Sequence, residues 1–399
     1  MTFRVTTMGM FRQGVEAMQA QSQALSKTQT QLATNQKFQR AGEDPVAAGR
    51  ALNVDKAMAD TARWQANIGT ASDRLALEDS VLANATSALD RIRELAIEAN
   101  SDTLTDTDRA AIAKEMQERL KDLIEQANAK DGQGAYLFSG SRSSSQPFAS
   151  SNGSVTYRGD SLVSQLAIGS NRDITLGDDG NDVFMSLSAG NGRLDVSVPS
   201  TNLGLTKVES LGFSDSSHWD GGAYTVSFLG GQYSVLDAGG NTVGSGAYSD
   251  GGSIEFRGVS LTLSGQPSDG DSFSVGASQR QDMFTSVQKL IDVVSAYGRT
   301  PAQDAQDQTT FFSALNSIDT AITHLGTVRA GVGARLNALD DADTQLSARS
   351  AQLQQSLTSL REIDYVETAA TLSQQQTALQ AAQQSYLKVQ SLSLFDYLS

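Results

Sequence analysis

The sequence predicts an α+β protein in which segments from both chain ends form a discontinuous helical coiled-coil bundle that carries an inserted antiparallel β domain. Two observations predict this fold class. Of the 35 glycines in the 399-residue chain, 24 lie between residues 140 and 276, where short alternating runs replace helical spacing. On both sides of that segment, apolar residues recur at every seventh position, which is the repeat of a coiled-coil seam.

The first helix is predicted over about residues 5–34. Gln, Ser, Ala and Thr flank its narrow apolar seam, which consists of Phe11, Met18, Leu25 and Leu32. Asn35 tolerates a left-handed backbone conformation and is predicted to end the helix. Asp44 followed by Pro45 is typical of an N-cap and a first helical residue, so a second helix is predicted to begin there.

Two helices are predicted before the glycine-rich segment. The first of them continues to about Ala99 and has a seven-residue series at Ile68, Leu75, Leu82 and Leu89. Thr105 and Asp108 have the spacing of a capping box, which predicts a further helix that ends at Gly132.

Helical spacing resumes after the glycine-rich segment. A long apolar series consists of Val332, Leu339, Leu346, Leu353 and Leu360. The last helix has its seam at Leu372, Leu379 and Tyr386. Because the seven-residue register slips between Leu360 and Leu372, a bend or a stammer is predicted between them.

The glycine-rich segment alternates apolar and polar residues in short runs, for example at 224–228 and 254–257, separated by Gly-Gly, Asp-Gly or Gly-Asn pairs. These patterns predict hairpins in one or two compact antiparallel units. We therefore predict three parts: terminal coiled-coil core segments at 1–55 and 361–399, a helical rod domain at 56–140 and 280–360, and an inserted glycine-rich β domain at 141–279.

Composition disfavours several functional classes. The formal net charge is -15 with a pI near 4.6, and no basic run is present, which argues against nucleic-acid and anionic-membrane partners. Cysteine is absent, and His218 and His324 are the only histidines. The acidic run at 178–182 lacks the closing glutamate of a calcium loop, so a β turn is predicted there. Catalytic, cofactor and metal sites are not predicted.

The run Leu32–Pro45 (LATNQKFQRAGEDP) resembles an amino-terminal motif of flagellins and hook-associated proteins, and Ala88–Ala99 is similar to the rod helix of flagellin. Asn35 stands where glycine is usual, and Glu43 replaces an aspartate. Gly134–Gly140 (GAYLFSG) and Leu392–Leu398 (LSLFDYL) resemble the hook-associated proteins of the hook–filament junction more than flagellins. Residues 256–273 resemble β modules of hook-associated proteins.

The resemblance implies a structural subunit, and not an enzyme, that is secreted through a dedicated export apparatus to the extracellular bacterial flagellum. The implied partners are neighbouring copies of the chain, hook-associated protein 1, flagellin or the filament cap, and an export chaperone. The terminal helices are expected to pair with each other and with neighbouring copies, and to become ordered on assembly. The predicted subunit-interface residues are Phe11, Met18, Leu25, Leu32, Leu372, Leu379, Tyr386, Leu394 and Phe395.

Three alternatives remain open from the sequence. The heptads are compatible with a self-contained helical bundle that needs no partner. The chain is also compatible with a flagellin filament subunit, which would polymerise into long filaments. An extracellular adhesin or enzyme would instead require a ligand pocket with convergent polar groups within residues 141–279.

Overall fold

The structure, a computed structural model, describes residues 7–101, 103–151, 153–296 and 299–398. The helices in these ranges are α1 (Thr7–Thr34), α2 (Pro45–Ala99), α3 (Asp106–Ala127), α4 (Met283–Ser295), α5 (Pro301–Arg361) and α6 (Tyr365–Leu398). The strands in the same ranges are β1 (Phe148–Ser151), β2 (Ser154–Tyr157), β3 (Gln165–Gly169), β4 (Arg172–Thr175), β5 (Leu187–Ser188), β6 (Leu194–Ser197), β7 (Lys207–Phe213), β8 (Tyr224–Leu229), β9 (Gln232–Asp237), β10 (Thr242–Ala247), β11 (Ser253–Phe256), β12 (Val259–Ser264), β13 (Ser272–Ala277) and β14 (Arg280–Gln281).

Local capping interactions set several helix ends where the sequence predicts them. Asn35 adopts a positive φ of 55° immediately after α1. The Asp44 carboxylate accepts a hydrogen bond of 2.9 Å from the backbone N–H of Ala47 at the start of α2. Thr105 and Asp108 form the predicted reciprocal capping box at α3. The prediction for the other end of α3 was wrong, because this helix ends at Ala127 and not at Gly132.

The register slip before the last helix is a break in the chain's helical structure. α5 ends at Arg361 and α6 begins at Tyr365, where the Asp364 carboxylate accepts a hydrogen bond of 2.9 Å from the N–H of Val366. The break lies beside the one that follows α1, because the N–H of Lys37 donates to the carbonyl oxygen of Arg361 at 2.7 Å. The connection between α1 and α2 therefore lies beside the connection between α5 and α6.

The chain divides into two compact units. The first comprises residues 1–66 and 342–399, and the second comprises residues 67–341. In the first unit, α1 packs on α6, while the early part of α2 contacts the late part of α5 through an ion pair between Asp55 and Arg361. A hydrogen bond of 3.0 Å between the side chains of Gln65 and Ser347 adds a second link.

The second unit contains a helical rod built around α2 and α5. The rod's apolar seam is buried to at most 1% exposure at Leu75, Leu82, Leu89, Val332 and Leu339. Ion pairs join the two helices at Arg93 with Asp319 (2.5 Å) and at Arg329 with Asp79 (2.9 Å). α3 packs on α4 within the same unit.

The inserted strands are antiparallel throughout the described ranges, as the alternation predicts. A five-stranded sheet has the order β10-β9-β8-β13-β6, and a three-stranded sheet has the order β11-β12-β7. Their apolar faces form one core that includes Val226, Phe273 and Leu261. Two-stranded ribbons are formed by β1 with β2, β3 with β4, and β5 with β14. The predicted strands at 224–228 and 254–257 correspond to β8 and β11.

An aromatic cluster lies where the insert meets the rod. The rings of Phe138, Phe148 and Phe184 pack at centroid distances of 5.1 to 5.4 Å, and Phe284 of α4 joins them. The Tyr157 hydroxyl lies 3.0 Å from the carbonyl oxygen of Phe138. Burial, with a hydrogen bond to the Asp179 carboxylate, raises the pKa of Tyr157 above its ordinary value. The Gly134–Gly140 motif therefore carries the chain into this cluster.

Candidate functional site

The paired helices α1 and α6 form the candidate assembly surface. The ring of Phe11 packs edge-on against Tyr386 at a centroid distance of 5.7 Å. Gly14 lies under the same tyrosine, because a Cβ at this position would be 3.4 Å from the ring. The Gln21 side-chain amide donates to the backbone carbonyl oxygen of Gln375 at 3.3 Å. These contacts define an antiparallel helix pair.

The antiparallel register places seven of the predicted interface residues on facing sides of the two helices. It brings Met18 level with Leu379 and Leu25 level with Leu372. Half-buried positions follow the seven-residue seam in both helices, namely Phe11, Met18, Leu25, Leu32, Leu372, Leu379 and Tyr386. Leu394 and Phe395 belong to α6, but their side chains lie outside the residues that the structure describes in detail. Seven of the nine predicted residues are therefore placed on one seam.

This seam is less completely covered than the seam of the rod. Its apolar side chains remain half-buried, whereas Leu75, Leu82 and Leu89 in the rod are fully buried. Polar side chains lie between the apolar ones, as at Gln21 and the buried Thr28. Polar groups weaken a helix seam, since their desolvation offsets part of the gain from apolar burial. The pair thus retains apolar area that a further helix could cover.

Additional apolar side chains are exposed in the same unit. Leu387 is 63% exposed and Val366 is 79% exposed on α6, while Val15 of α1 is 37% exposed. Leu52 of α2 is 68% exposed. Scattered exposed apolar residues are normal on a protein surface, but Val15, Val366 and Leu387 lie on α1 and α6, whose shared seam is also only half-covered.

The candidate surface carries few charges. α1 contains Arg12, Glu16 and Lys27, and α6 contains Glu367, Lys388 and Asp396. The inserted segment 141–279 has 14 acidic and 6 basic residues, so much of the chain's negative charge lies there. Copies of the chain can therefore approach through their terminal helices with little Coulomb repulsion between those helices.

The two histidines and Asp179 of the acidic run already have hydrogen-bond partners. His218 contacts Asp215 on an exposed turn, and His324 contacts the carbonyl oxygen of Asp182. In the acidic run, Asp179 accepts from the Tyr157 hydroxyl. The β turn predicted for this run was wrong, because Asn181–Met185 forms a single π-helical turn. Within the described ranges, His, Asp and Glu form no group of three that could hold a metal ion.

The helices that the structure describes include none with the length and apolarity needed to cross a membrane.

Sequence reasoning missed a buried polar cluster in the rod, at Glu78. This carboxyl is 1% exposed and lies between the seam residues Leu75 and Leu82 of α2. Burial, together with the neighbouring Asp178 carboxylate, raises the pKa of Glu78 to about 8. The sequence did contain a signal for this cluster, because Glu78 is an acidic residue on the apolar face of a predicted seven-residue repeat.

Three segments of the chain match described protein families. Residues 5–143 match the bacterial flagellin N-terminal helical region, and residues 315–398 match the bacterial flagellin C-terminal helical region. Residues 199–277 match the D2-like domain of flagellar hook-associated protein 1. The two flagellin-like regions include all of the described α1 and α6, and the D2-like match includes strands β7 to β13.

A curated relative and a solved structure identify the family. Flagellar hook-associated protein 3 of Escherichia coli (strain K12) is 27% identical over 186 residues, which are 47% of this chain and 58% of that protein. The match thus spans less than two thirds of the curated relative's length. The crystal structure of Xanthomonas campestris FlgL is 33% identical, with a TM-score of 0.72 and coverage of 76% of this chain and 99% of that one. The chain belongs to the flagellar hook-associated protein 3 (FlgL) family.

A second FlgL structure agrees with this assignment. The flagellar junction protein FlgL from Legionella pneumophila is 30% identical, has a TM-score of 0.70, and covers 78% of this chain and 100% of its own. The predicted fold class and the predicted family resemblance are confirmed. FlgL-family proteins are structural components of the bacterial flagellum with flagellin-like terminal regions.

Proposed function

We propose that this FlgL-family chain is a structural, non-enzymatic subunit that joins the hook to the filament of the extracellular flagellum. The single observation that carries the proposal is the half-covered α1–α6 seam. Both flagellin-like terminal regions contribute to it, and it retains apolar area in a pair of helices with few charged residues. Covering such a seam with further helices is favourable, because burial removes apolar surface from water.

The proposed partners follow from this surface and from the family. Neighbouring copies of the chain would cover the seam within one ring. Hook-associated protein 1 would lie on the hook side, with flagellin or the filament cap on the other side, and an export chaperone would shield the last helix before secretion. We further propose that residues 1–55 and 361–399 form the assembling core, that 56–140 and 280–360 form the rod, and that 141–279 form the insert.

Deletion of the gene in its host tests the proposal directly. Hooks should remain intact while flagellin is released into the medium, because filaments lose their attachment. Re-expression of the full chain should restore attached filaments. Filaments that stay attached in the deletion strain would contradict the junction function.

The filament-subunit alternative predicts a different behaviour of the purified chain. A flagellin polymerises into long filaments without hooks, whereas a junction subunit is expected to bind only at the ends of hooks or filaments. Electron microscopy of the purified full chain, with and without isolated hooks, distinguishes the two.

One cleft among the described residues of the insert bears on the ligand-binding alternative, and it gives that alternative no support. An open cleft of about 460 Å³ lies where the insert meets α5, with Arg193, Asp319 and His324 among its lining residues. These groups already have partners, since Arg193 stacks on Phe213 and Asp319 pairs with Arg93. His324 contacts the carbonyl oxygen of Asp182. The polar groups therefore do not converge on an open ligand position.

A further inference from the structure

Glu78 lies at the point where three segments of the chain meet. One oxygen of its carboxyl, Oε1, accepts a hydrogen bond of 2.9 Å from the backbone N–H of Asp178, in the segment of the insert that follows β4. The other oxygen, Oε2, is buried and receives no hydrogen bond from any described group. Gly177 packs against Oε2, because a Cβ at this position would lie 3.4 Å from it. A carboxyl in this setting has one satisfied oxygen and one that lacks a donor.

The charged groups that face Glu78 come from each element packed around it. On α2 itself, Arg74 pairs with Asp131 at 2.7 Å and donates to the carbonyl oxygen of Leu176 at 3.1 Å. From the insert, Asp178 faces the carboxyl, and Arg335 of α5 pairs with this Asp178. The two arginines and the two aspartates balance in charge. An ionised Glu78 would therefore add one uncompensated negative charge to a buried cluster, which is costly.

From this geometry we propose that Glu78 is a positioning residue that fixes residues 176–178 of the insert on the rod, and that it does so as a neutral carboxylic acid. Its Oε2–H donates to the Asp178 carboxylate, while Oε1 accepts from the Asp178 N–H. Arg335 pairs with the same Asp178 carboxylate. The proton thereby satisfies the oxygen that otherwise has no donor and removes the repulsion between two carboxylates.

The consequence is a proton-dependent contact among Glu78 of α2, Arg335 of α5 and residues 176–178 of the insert. We call this contact the clasp. Opening the clasp exposes Glu78 to water, where its pKa returns to about 4.5, whereas burial holds the pKa at about 8. The closed clasp therefore binds one more proton than the open one between these two pH values. Its stability is fully present below about pH 4.5 and declines as the pH rises to about 8.

Hydrogen exchange of the Asp178 amide in the full-length chain tests the proposal. After correction for intrinsic exchange, protection of this amide should fall by up to about tenfold per pH unit between about pH 5 and pH 8, and level off above about pH 8. Protection that stays constant over this range in the unmodified chain would overturn the proposal.

Two variants and a control distinguish an effect of the Glu78 proton on amide protection from an effect of side-chain packing alone. Glu78→Gln should give pH-independent protection, because the amide can donate to Asp178 and accept from its N–H without titrating. Asp178→Asn should lower the pH above which amide protection stops falling, since a carboxylate that raises the pKa of Glu78 is removed. Glu94→Gln, at a 65% exposed side chain of the same helix, should leave the decline unchanged.

A Glu78→Gln chain that retains the full decline would also overturn the proposal. The exchange measurement on the unmodified chain and on Asp178→Asn decides the question even where Glu78→Gln does not fold. None of these measurements depends on hooks or filaments, so they are independent of the proposed junction function.

Discussion

Gly140 carries a backbone constraint that no other residue type meets without strain. Its φ is 66°, and a Cβ at this position would lie 2.1 Å from the carbonyl oxygen of Asp160. Gly134, in the same motif, has a φ of 85° but meets no described atom within 4 Å. Substitutions at these two glycines therefore separate the free-energy cost of the left-handed conformation from the cost of the steric clash.

We expect Gly140→Ala to lower the free energy of unfolding by about 3 kcal/mol or more, because strain and a backbone clash combine. Gly134→Ala should cost about 1 kcal/mol, since only the conformation is unfavourable. Denaturant unfolding of the full chain, followed by near-ultraviolet circular dichroism, measures both values. Equal losses in the two variants would contradict the role assigned to the Asp160 carbonyl.

Whether the role of a residue could be predicted from the sequence depended on how far its partner lies along the chain. Asn35, Asp44 and the Thr105–Asp108 pair were predicted because their partners lie within a few positions in the sequence. The structural role of Gly140 could not be derived, because Asp160 lies 20 positions further along the chain. Glu78 was missed for the same reason, as Asp178 lies 100 positions away.

At the scale of elements, the antiparallel pairing of α1 with α6 organises the candidate surface. The seven-residue spacing predicted which residues face the seam, since a helix places such positions on one side. It could not reveal the pairing register or the alignment of the two helix breaks. These depend on contacts such as Lys37 with Arg361, which join residues more than 300 positions apart.

Leu379→Asp tests whether the seam is an assembly surface. A carboxylate in a covered seam is costly to desolvate, so incorporation at hook ends should fall by about tenfold or more. The β insert should remain folded, because Leu379 lies in the other compact unit. Immunoblotting of purified hooks from a host that lacks its own copy measures incorporation.

Gln380→Asp is the matched control, because it places the same charge on an exposed neighbour of the same helix. Its incorporation should match that of the unmodified chain. Leu379→Asp chains that assemble as well as this control would show that the seam does not contact other subunits.

At the scale of the whole molecule, fold class followed from the distribution of glycine and of seven-residue repeats. The sheet topology did not, because β13 lies between β8 and β6 although these strands are far apart in the sequence. Short alternating runs indicate strands but do not specify non-local partners. The division into three parts and the interface role of the nine seam residues remain predictions.

The central claim is that the α1–α6 seam is open in the isolated chain and covered in the flagellum. Hydrogen exchange of the full chain, free and within purified hook–filament junctions, tests it most directly. The account predicts that amides around Met18 and Leu379 gain about 100-fold or more in protection on assembly, while those around Val226 in the β core are unchanged. Equal protection of the terminal helices in both states would contradict it.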